Sequence, residues 1–135
     1  MKQFYSDKVL EHFKHPRNIG SIPEGPDVGI GTVGNPVCGD IMKVFIKVGK
    51  RDGREYVEDV KVQTLGCGAA IATSSMATEM IKGQPLSEAE KLSNQAVTEA
   101  LGGLPEIKKH CSILAAQAIK KAIEDYRRKQ TDEMS

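Results

Sequence analysis

The feature that most constrains the fold is a pair of β-rich runs joined by a turn sequence. The first run extends from Ile41 to Val48, and the second extends from Tyr56 to Leu65 with Val60 and Val62 on one face. Between them, Arg51-Asp52-Gly53-Arg54 supplies the residues of a turn. The sequence therefore predicts two adjacent antiparallel strands.

Helical periodicity predicts the elements on either side of this pair. They are, in order, a helix over residues 6–14, an edge strand from about Val28, a helix from Ala69 to Ile81, a helical turn at Ser87, a helix capped by Asn94 that ends at Leu101, and a last helix from Pro105. This order predicts an α+β fold, with a small antiparallel three-stranded sheet and helices packed on one face. The polar residues 128–135 are expected to fray.

The composition argues against nucleic-acid and membrane partners. The 135 residues include 19 basic and 18 acidic side chains, a net charge of +1, and aromatic residues make up only 4% with no Trp. No apolar run approaches the roughly 18 residues of a membrane span, and the stretch Met1–Asp7 is too polar for a signal peptide. We therefore expect a cytoplasmic protein that forms a single domain over residues 1–135.

Three isolated cysteines, an odd number, are more typical of reduced thiols than of a disulfide framework. Cys38 precedes Asp40 by two positions, so in extended backbone both side chains point to the same side. Cys67 lies between two glycines where a strand gives way to a helix, and the positive end of that helix favours the thiolate. Cys111 follows His110 near the start of the last helix. Together these residues predict one labile metal site.

The donor set leaves the metal open. Three thiolates with a carboxylate or an imidazole would hold zinc, although the paired Cys-x-x-Cys knuckles of structural zinc sites are missing from the sequence. The same thiolates would also hold an iron-sulfur cluster. A harder, weaker fourth ligand, Asp40 or His110, would make such a cluster easy to lose, which suits a protein that builds clusters in order to give them away.

Two other patterns are interpreted as coincidental. Gly29-Ile30-Gly31-Thr32-Val33-Gly34 has the spelling of a dinucleotide-binding loop, but a strand follows it where that motif requires a helix. His110 and Cys111 are neighbours on a helix and point in different directions, which argues against a hydrolytic pair. His12 and His15 are expected to lie on the surface of the first helix.

The chain closely resembles the iron-sulfur cluster assembly scaffold family, the IscU proteins and the N-terminal domain of NifU. The resemblance covers nearly the whole chain. It rests on Phe4-Tyr5-Ser6, His15-Pro16-Arg17-Asn18-Ile19-Gly20, Gly34-Asn35-Pro36-Val37-Cys38-Gly39-Asp40, Gly66-Cys67-Gly68-Ala69-Ala70-Ile71-Ala72 and His110-Cys111-Ser112-Ile113-Leu114-Ala115.

The resemblance implies a non-enzymatic scaffold on which iron and persulfide sulfur from a cysteine desulfurase form a transient 2Fe-2S cluster for acceptor apoproteins. Cys38, Cys67 and Cys111 carry over as ligands, Asp40 as the group that keeps the cluster labile, and His110 as an alternate ligand. Cys111 carries over as the first persulfide acceptor. Zinc would occupy the same ligands in the cluster-free state, and a homo-oligomer is compatible with the pattern.

The sub-family and the chaperone follow from finer details. SufU-type scaffolds have an insertion before the last cysteine and no His beside it, whereas this chain has His110 and no long insertion, so it resembles the IscU type. The family's chaperone-binding stretch reads Leu-Pro-Pro-Val-Lys, and residues 104–108 depart from it as Leu-Pro-Glu-Ile-Lys. Recognition by a dedicated Hsp70-type chaperone stays open, as does the alternative of a zinc-bound sulfur-acceptor partner that only relays sulfur through Cys111.

Overall fold

A computed structural model describes the backbone of residues 7–35, 40–65, 68–103 and 110–134, and the side chains of 7–34, 41–65, 70–103 and 113–130. Its elements are α1 (Asp7–Lys14), β1 (Val28–Asn35), β2 (Asp40–Arg51), β3 (Arg54–Leu65), α2 (Gly68–Ile81), α3 (Leu86–Ala89), α4 (Asn94–Ala100) and α5 (His110–Met134). None of the helices in these ranges is both long enough and apolar enough to cross a bilayer.

The three strands form one antiparallel sheet in the order β1-β2-β3. The predicted turn between β2 and β3 is confirmed, because Asp52 and Gly53 have φ angles of 54° and 78°, the left-handed values that a two-residue hairpin turn requires. At the other end of β2, Asn35 pairs with Asp40 and Ile41 pairs with Leu65. We call this second end, which also includes the first residues of α2 and α5, the junction end.

The predicted α+β class is confirmed by the way the helices bury one face of the sheet. Val44 and Ile46 of β2 and Val60 and Val62 of β3 are buried on that face. The small residues of α2 allow close packing: Ala70, Ala72, Thr73, Ser75 and Thr78 have no exposed surface. Ile119 and Ile123 of α5 complete the core.

The longest helix, α5, packs its backbone directly on β1. A Cβ atom added to Gly31 would lie 2.3 Å from the carbonyl oxygen of Ala118, and one added to Gly29 would lie 2.0 Å from that of Ala122. Because the earlier part of α5 lies over the later part of β1, the helix and the strand run antiparallel. The glycines that imitate a dinucleotide loop therefore serve this contact between backbones.

The end of α5 corrects the expectation of a frayed tail from residue 128 onward, as far as the described residues extend. The helix continues to Met134. Two of its side chains hold it against the loop before β1 and the start of that strand: Lys129 Nζ donates to the Val28 carbonyl at 2.8 Å, and Gln130 Nε2 donates to the Pro26 carbonyl at 2.7 Å. A polar composition was consistent with fraying, but these polar groups bond to backbone.

The start of α4 also differs by one residue from the prediction. Ser93, not Asn94, is the N-cap, because its hydroxyl oxygen accepts a hydrogen bond from the Ala96 N–H at 3.1 Å. Both residue types are good N-caps, so the sequence alone could not choose between adjacent positions. The helix ends at Ala100, one residue before the predicted end at Leu101.

His12 corrects the prediction of a surface histidine, since only 4% of it is exposed. Its Nδ1 lies 2.8 Å from Ser75 Oγ, and the same oxygen accepts the Arg17 N–H at 2.8 Å. One hydroxyl oxygen therefore joins the His12 imidazole to the Arg17 backbone, and the other ring nitrogen, Nε2, lies 3.6 Å from the Glu79 carboxylate. This network fastens α1 to α2.

Candidate functional site

The junction end brings together the ends of four elements from two separate parts of the chain. The register places Asn35 beside Asp40 and Ile41 beside Leu65, so β1 ends, β2 begins and β3 ends at the same edge. Helix α2 begins at Gly68, three positions after Leu65. Three strand ends and one helix start therefore meet here.

The first turn of α5 reaches the same end. Helix α5 runs antiparallel to β1, and Ala118 lies over Gly31. From Ala118 back to Cys111 the helix rises about 10 Å at 1.5 Å per residue, and from Gly31 on to Asn35 the strand advances about 13 Å at 3.3 Å per residue. The start of α5 is therefore level with the end of β1.

The five predicted site residues are described to different extents. Asp40 is the first residue of β2, and His110 and Cys111 are the first two residues of α5; their side chains lie outside the described part of the structure. Cys38 and Cys67 lie outside the described residues altogether. The structure thus brings the backbones of Asp40, His110 and Cys111 to one end, and the ligand assignment stays a prediction. Among the side chains that are described, no group of three or more His, Cys, Asp or Glu residues could hold a metal ion.

The electrostatics of the junction end favour negative charge. Two helices begin there, α2 with 14 residues and α5 with 25. A helix start carries a partial positive charge and free N–H groups, which stabilise thiolates and other anions within about one turn. Anionic sulfur ligands at this end would therefore be stabilised by the fold as well as by a metal.

Two exposed apolar side chains at the junction end were not anticipated from the sequence. Ile41 is 46% exposed and its strand partner Leu65 is 69% exposed. Both point away from the core, because the β2 residues that belong to the core cluster in this part of the strand are the even-numbered Met42, Val44 and Ile46. Because alternate residues of a strand lie on opposite faces, the sequence could have revealed this exposed pair only if the buried face had already been known.

Comparisons with known proteins agree with this arrangement. A family model described as the NifU-like N terminal domain matches residues 4–133. The protein named iron-sulfur cluster assembly scaffold protein IscU 1 of Archaeoglobus fulgidus is 61% identical, over 93% of this chain and 78% of its own. The protein named iron-sulfur cluster assembly scaffold protein IscU of Azotobacter vinelandii is 51% identical, over 93% of this chain and 95% of its own.

Solved structures support the fold. A putative scaffold protein for the SUF system from Fervidobacterium islandicum superposes with a TM-score of 0.65 at 22% identity, over 89% of this chain and 96% of its own. A NifU-like N-terminal protein from Brucella abortus gives the same TM-score at 19% identity, over 93% and 95% of the two chains. With a family model that spans almost its entire length and relatives above 50% identity, the chain belongs to the NifU-like N-terminal domain family and is of the IscU type.

Proposed function

We propose that the chain is a scaffold on which a labile 2Fe-2S cluster is assembled from iron and desulfurase-derived sulfur and then passed to acceptor apoproteins. The observation that carries the proposal is the junction end, where the backbones of Asp40, His110 and Cys111 meet the end of β3 and the start of α2. The names of the IscU relatives support the same activity. The cluster is cargo, so the protein acts as a binding platform and not as an enzyme.

The proposed ligands are the thiolates of Cys38, Cys67 and Cys111. Cys38 precedes Asp40 by two positions and Cys67 follows Leu65 by two positions. The strands that these positions adjoin are paired at Ile41 and Leu65. Two chain connections that carry cysteines therefore leave the sheet at neighbouring points, level with the start of the helix whose second residue is the third cysteine.

The proposed role of Asp40, or of His110, is to complete the ligand set weakly. Cysteine thiolates are soft donors that bind iron-sulfur clusters well, whereas a carboxylate is harder and holds them less firmly. An incomplete or weak ligand set favours release, and release is the purpose of a scaffold.

The proposed entry of sulfur is through Cys111. Its thiolate attacks the outer sulfur of a donor persulfide, the sulfur–sulfur bond of the donor breaks, and the donor cysteine leaves as a thiolate. The product is a persulfide on Cys111, and the exchange involves no net oxidation or reduction. Conversion of that sulfur to the sulfide of a cluster takes two further electrons from an external reductant such as a thiol.

Anaerobic reconstitution tests the proposal. The protein is incubated with iron, cysteine, a thiol and a cysteine desulfurase, and is then examined by visible absorption and Mössbauer spectroscopy. We expect a 2Fe-2S signature in the wild type and none in a variant with Ser at positions 38, 67 and 111.

A colourless protein that binds only zinc and accumulates a persulfide would contradict cluster assembly and would indicate a sulfur relay. Addition of iron and inorganic sulfide without the desulfurase separates a failure of the scaffold from a failure of the sulfur donor. Wild-type protein should assemble the cluster under both conditions.

A further inference from the structure

The outer edge of β1 has a half that α5 caps and a half that the described residues leave open. The Asp27 carbonyl accepts a hydrogen bond from Val48 N–H at 2.8 Å, so odd-numbered residues of this strand face β2 and even-numbered ones face outward. Two outward groups bond to α5: Ile30 N–H donates to Asp125 Oδ2 at 2.9 Å, and the Val28 carbonyl accepts from Lys129 at 2.8 Å.

The open half comprises Thr32 and Gly34. Within the described ranges, no group bonds to the outward N–H and C=O of these two residues. A groove of about 440 Å³ begins at Thr32 and runs along the capped half, where it is lined by residues 30–32 of β1 and by Lys121, Glu124, Asp125 and Arg128 of α5. Unpaired backbone groups on an edge strand form a template for an added strand, and their partner must be another extended polypeptide.

A second copy of this chain does not fit the open edge. Helix α5 lies directly on Gly29 and Gly31, so it covers β1 itself. Antiparallel pairing of two β1 strands would place both copies of α5 on the same face, about 5 Å apart, because that is the spacing of neighbouring strands. Packed helices need about 8–10 Å. The open edge therefore suits a single extended segment that carries no helix above it.

We propose that Thr32 and Gly34 pair with an extended segment of the cysteine desulfurase that donates sulfur, an inference that rests on the proposed function. In the handover, the Cys111 sulfur bonds to the outer sulfur of the donor persulfide as the donor's own sulfur–sulfur bond breaks, so both cysteines must reach the same sulfur atom. The Cα atoms of two bridged cysteines are about 4–7 Å apart, and the transferred sulfur adds about 2 Å. The main chain of the donor must therefore be laid closely against the junction end.

The position of the open half suits this task. Gly34 adjoins Asn35, which pairs with Asp40 at the junction end, so a segment bound here leads directly to the proposed site. The capped half, at Val28 and Ile30, prevents the same segment from continuing toward the hairpin turn. Short pairing of this kind fixes the direction of the donor segment and still allows it to leave.

The substitution Thr32→Pro tests the pairing. Proline removes the outward N–H and is tolerated on an edge strand, and no bond to β2 is lost because this N–H does not face β2. Thr32→Val is the matched control, because it changes the side chain and keeps the N–H. We expect the Kd for a cysteine desulfurase to rise about tenfold in Thr32→Pro, as for one or two lost hydrogen bonds, and to stay within about twofold in Thr32→Val.

Amide hydrogen exchange on the wild-type protein gives an independent measurement that does not depend on how the proline variant folds. In the free protein the N–H groups of Thr32 and Gly34 should exchange quickly, and that of Ile30 slowly. Saturation with the desulfurase should slow Thr32 and Gly34 at least tenfold. Unchanged exchange in the complex, or wild-type affinity in a folded Thr32→Pro variant, would overturn the pairing.

A failure of the proposed scaffold function can be distinguished from a failure of the proposed strand pairing. Cluster assembly from iron and inorganic sulfide needs no desulfurase, so it should proceed equally in Thr32→Pro and wild type. Loss of that chemical assembly in the wild type would overturn the proposed function. Normal chemical assembly together with unaltered desulfurase binding in Thr32→Pro would overturn only the strand pairing.

Discussion

At the hairpin end of the sheet, side chains of α5 reach the strands and fasten them, whereas at the junction end two apolar strand side chains extend into solvent. Near the hairpin, the Tyr126 hydroxyl donates to the Glu55 carboxylate, and Lys129 donates to the Val28 carbonyl at 2.8 Å. At the junction end, Ile41 and Leu65 are largely exposed. Folding stability is therefore expected to depend on the hairpin end, and the proposed assembly and transfer of the cluster on the junction end. Mutations at the two ends should affect one property without the other.

The largest expected effect on the framework is that of Gly31→Ala. Its Cβ would lie 2.3 Å from the Ala118 carbonyl oxygen, in contact with backbone that cannot move independently. We expect the free energy of unfolding of the metal-free protein to fall by about 3 kcal/mol, the upper range for overpacking. Chemical denaturation measures this change.

Gly25→Ala is the matched control for that substitution. Its Cβ would lie 3.3 Å from Asp27 Oδ1, which is the end of a side chain and can shift. We expect a change below about 0.5 kcal/mol, the usual size for a surface substitution. Equal destabilisation by the two alanines would contradict the close contact between α5 and β1.

A smaller loss is expected where α5 meets the hairpin. Tyr126→Phe removes the hydroxyl that donates to the Glu55 carboxylate. A hydrogen bond to a charged group contributes about 1.5 kcal/mol, and we expect a loss of that order in thermal or chemical denaturation. Cluster assembly should be unchanged, because the contact lies far from the junction end. A variant that folds as stably as wild type but assembles no cluster would reverse the comparison.

A pH dependence of stability is expected from His12. Its burial lowers the pKa of the imidazole below the ordinary value of 6.5, Arg17 acts in the same direction, and Glu79 partly opposes both. The unfolded chain therefore binds a proton at higher pH than the folded protein does. Stability from this group is complete above about pH 6.5 and is lost as the pH falls toward the lower pKa of the folded state, by at most about 1.4 kcal/mol per pH unit.

Denaturation as a function of pH measures this dependence, with two variants for comparison. His12→Gln should flatten the slope below pH 6.5, at some cost in stability at neutral pH. His15→Gln, which alters an exposed histidine just after α1, controls for the general effect of replacing an imidazole by an amide. Equal slopes in wild type and His12→Gln would exclude His12 as the source.

Asp40→Ala is expected to have the smallest effect on folding stability. Its effect should be on the transfer of the cluster. If Asp40 is the weak ligand or neighbour that labilises the cluster, its removal should slow cluster transfer to an acceptor severalfold and leave the free energy of unfolding within about 0.5 kcal/mol. Glu58→Ala is the control, because it removes a carboxylate that pairs with Lys47 nearer the hairpin end. Transfer from Asp40→Ala at the wild-type rate would assign lability to another group.

The sequence was sufficient for the elements but not for several contacts. The alternation around Val60 and Val62 and the turn at Asp52-Gly53 predicted the sheet, because a strand period and a left-handed turn are local properties. The burial of His12 and the order of α5 beyond Arg128 depend on partners far away in the chain, Ser75 and Val28, and no local pattern encodes them. The packing role of the glycines at 29 and 31 could not be predicted without the position of α5.

For the candidate site, the sequence predicted the residue types and their spacing. The structure adds that the ends of the three strands and the starts of α2 and α5 lie at the same end of the sheet. Asp40 and Cys111 are 71 positions apart, and only the antiparallel course of α5 along β1 brings their backbones to one end. The exposed pair Ile41 and Leu65 was missed because each residue looks like an ordinary strand hydrophobe.

The most direct test of the central claim is a crystal structure of the anaerobically assembled protein, with the metal identified by anomalous scattering at the iron and zinc absorption edges. We predict two iron positions at the junction end, within bonding distance of the sulfur atoms of Cys38, Cys67 and Cys111. Iron bound elsewhere on the sheet, or zinc alone at the junction end in protein prepared for assembly, would contradict a cluster scaffold built on this convergence.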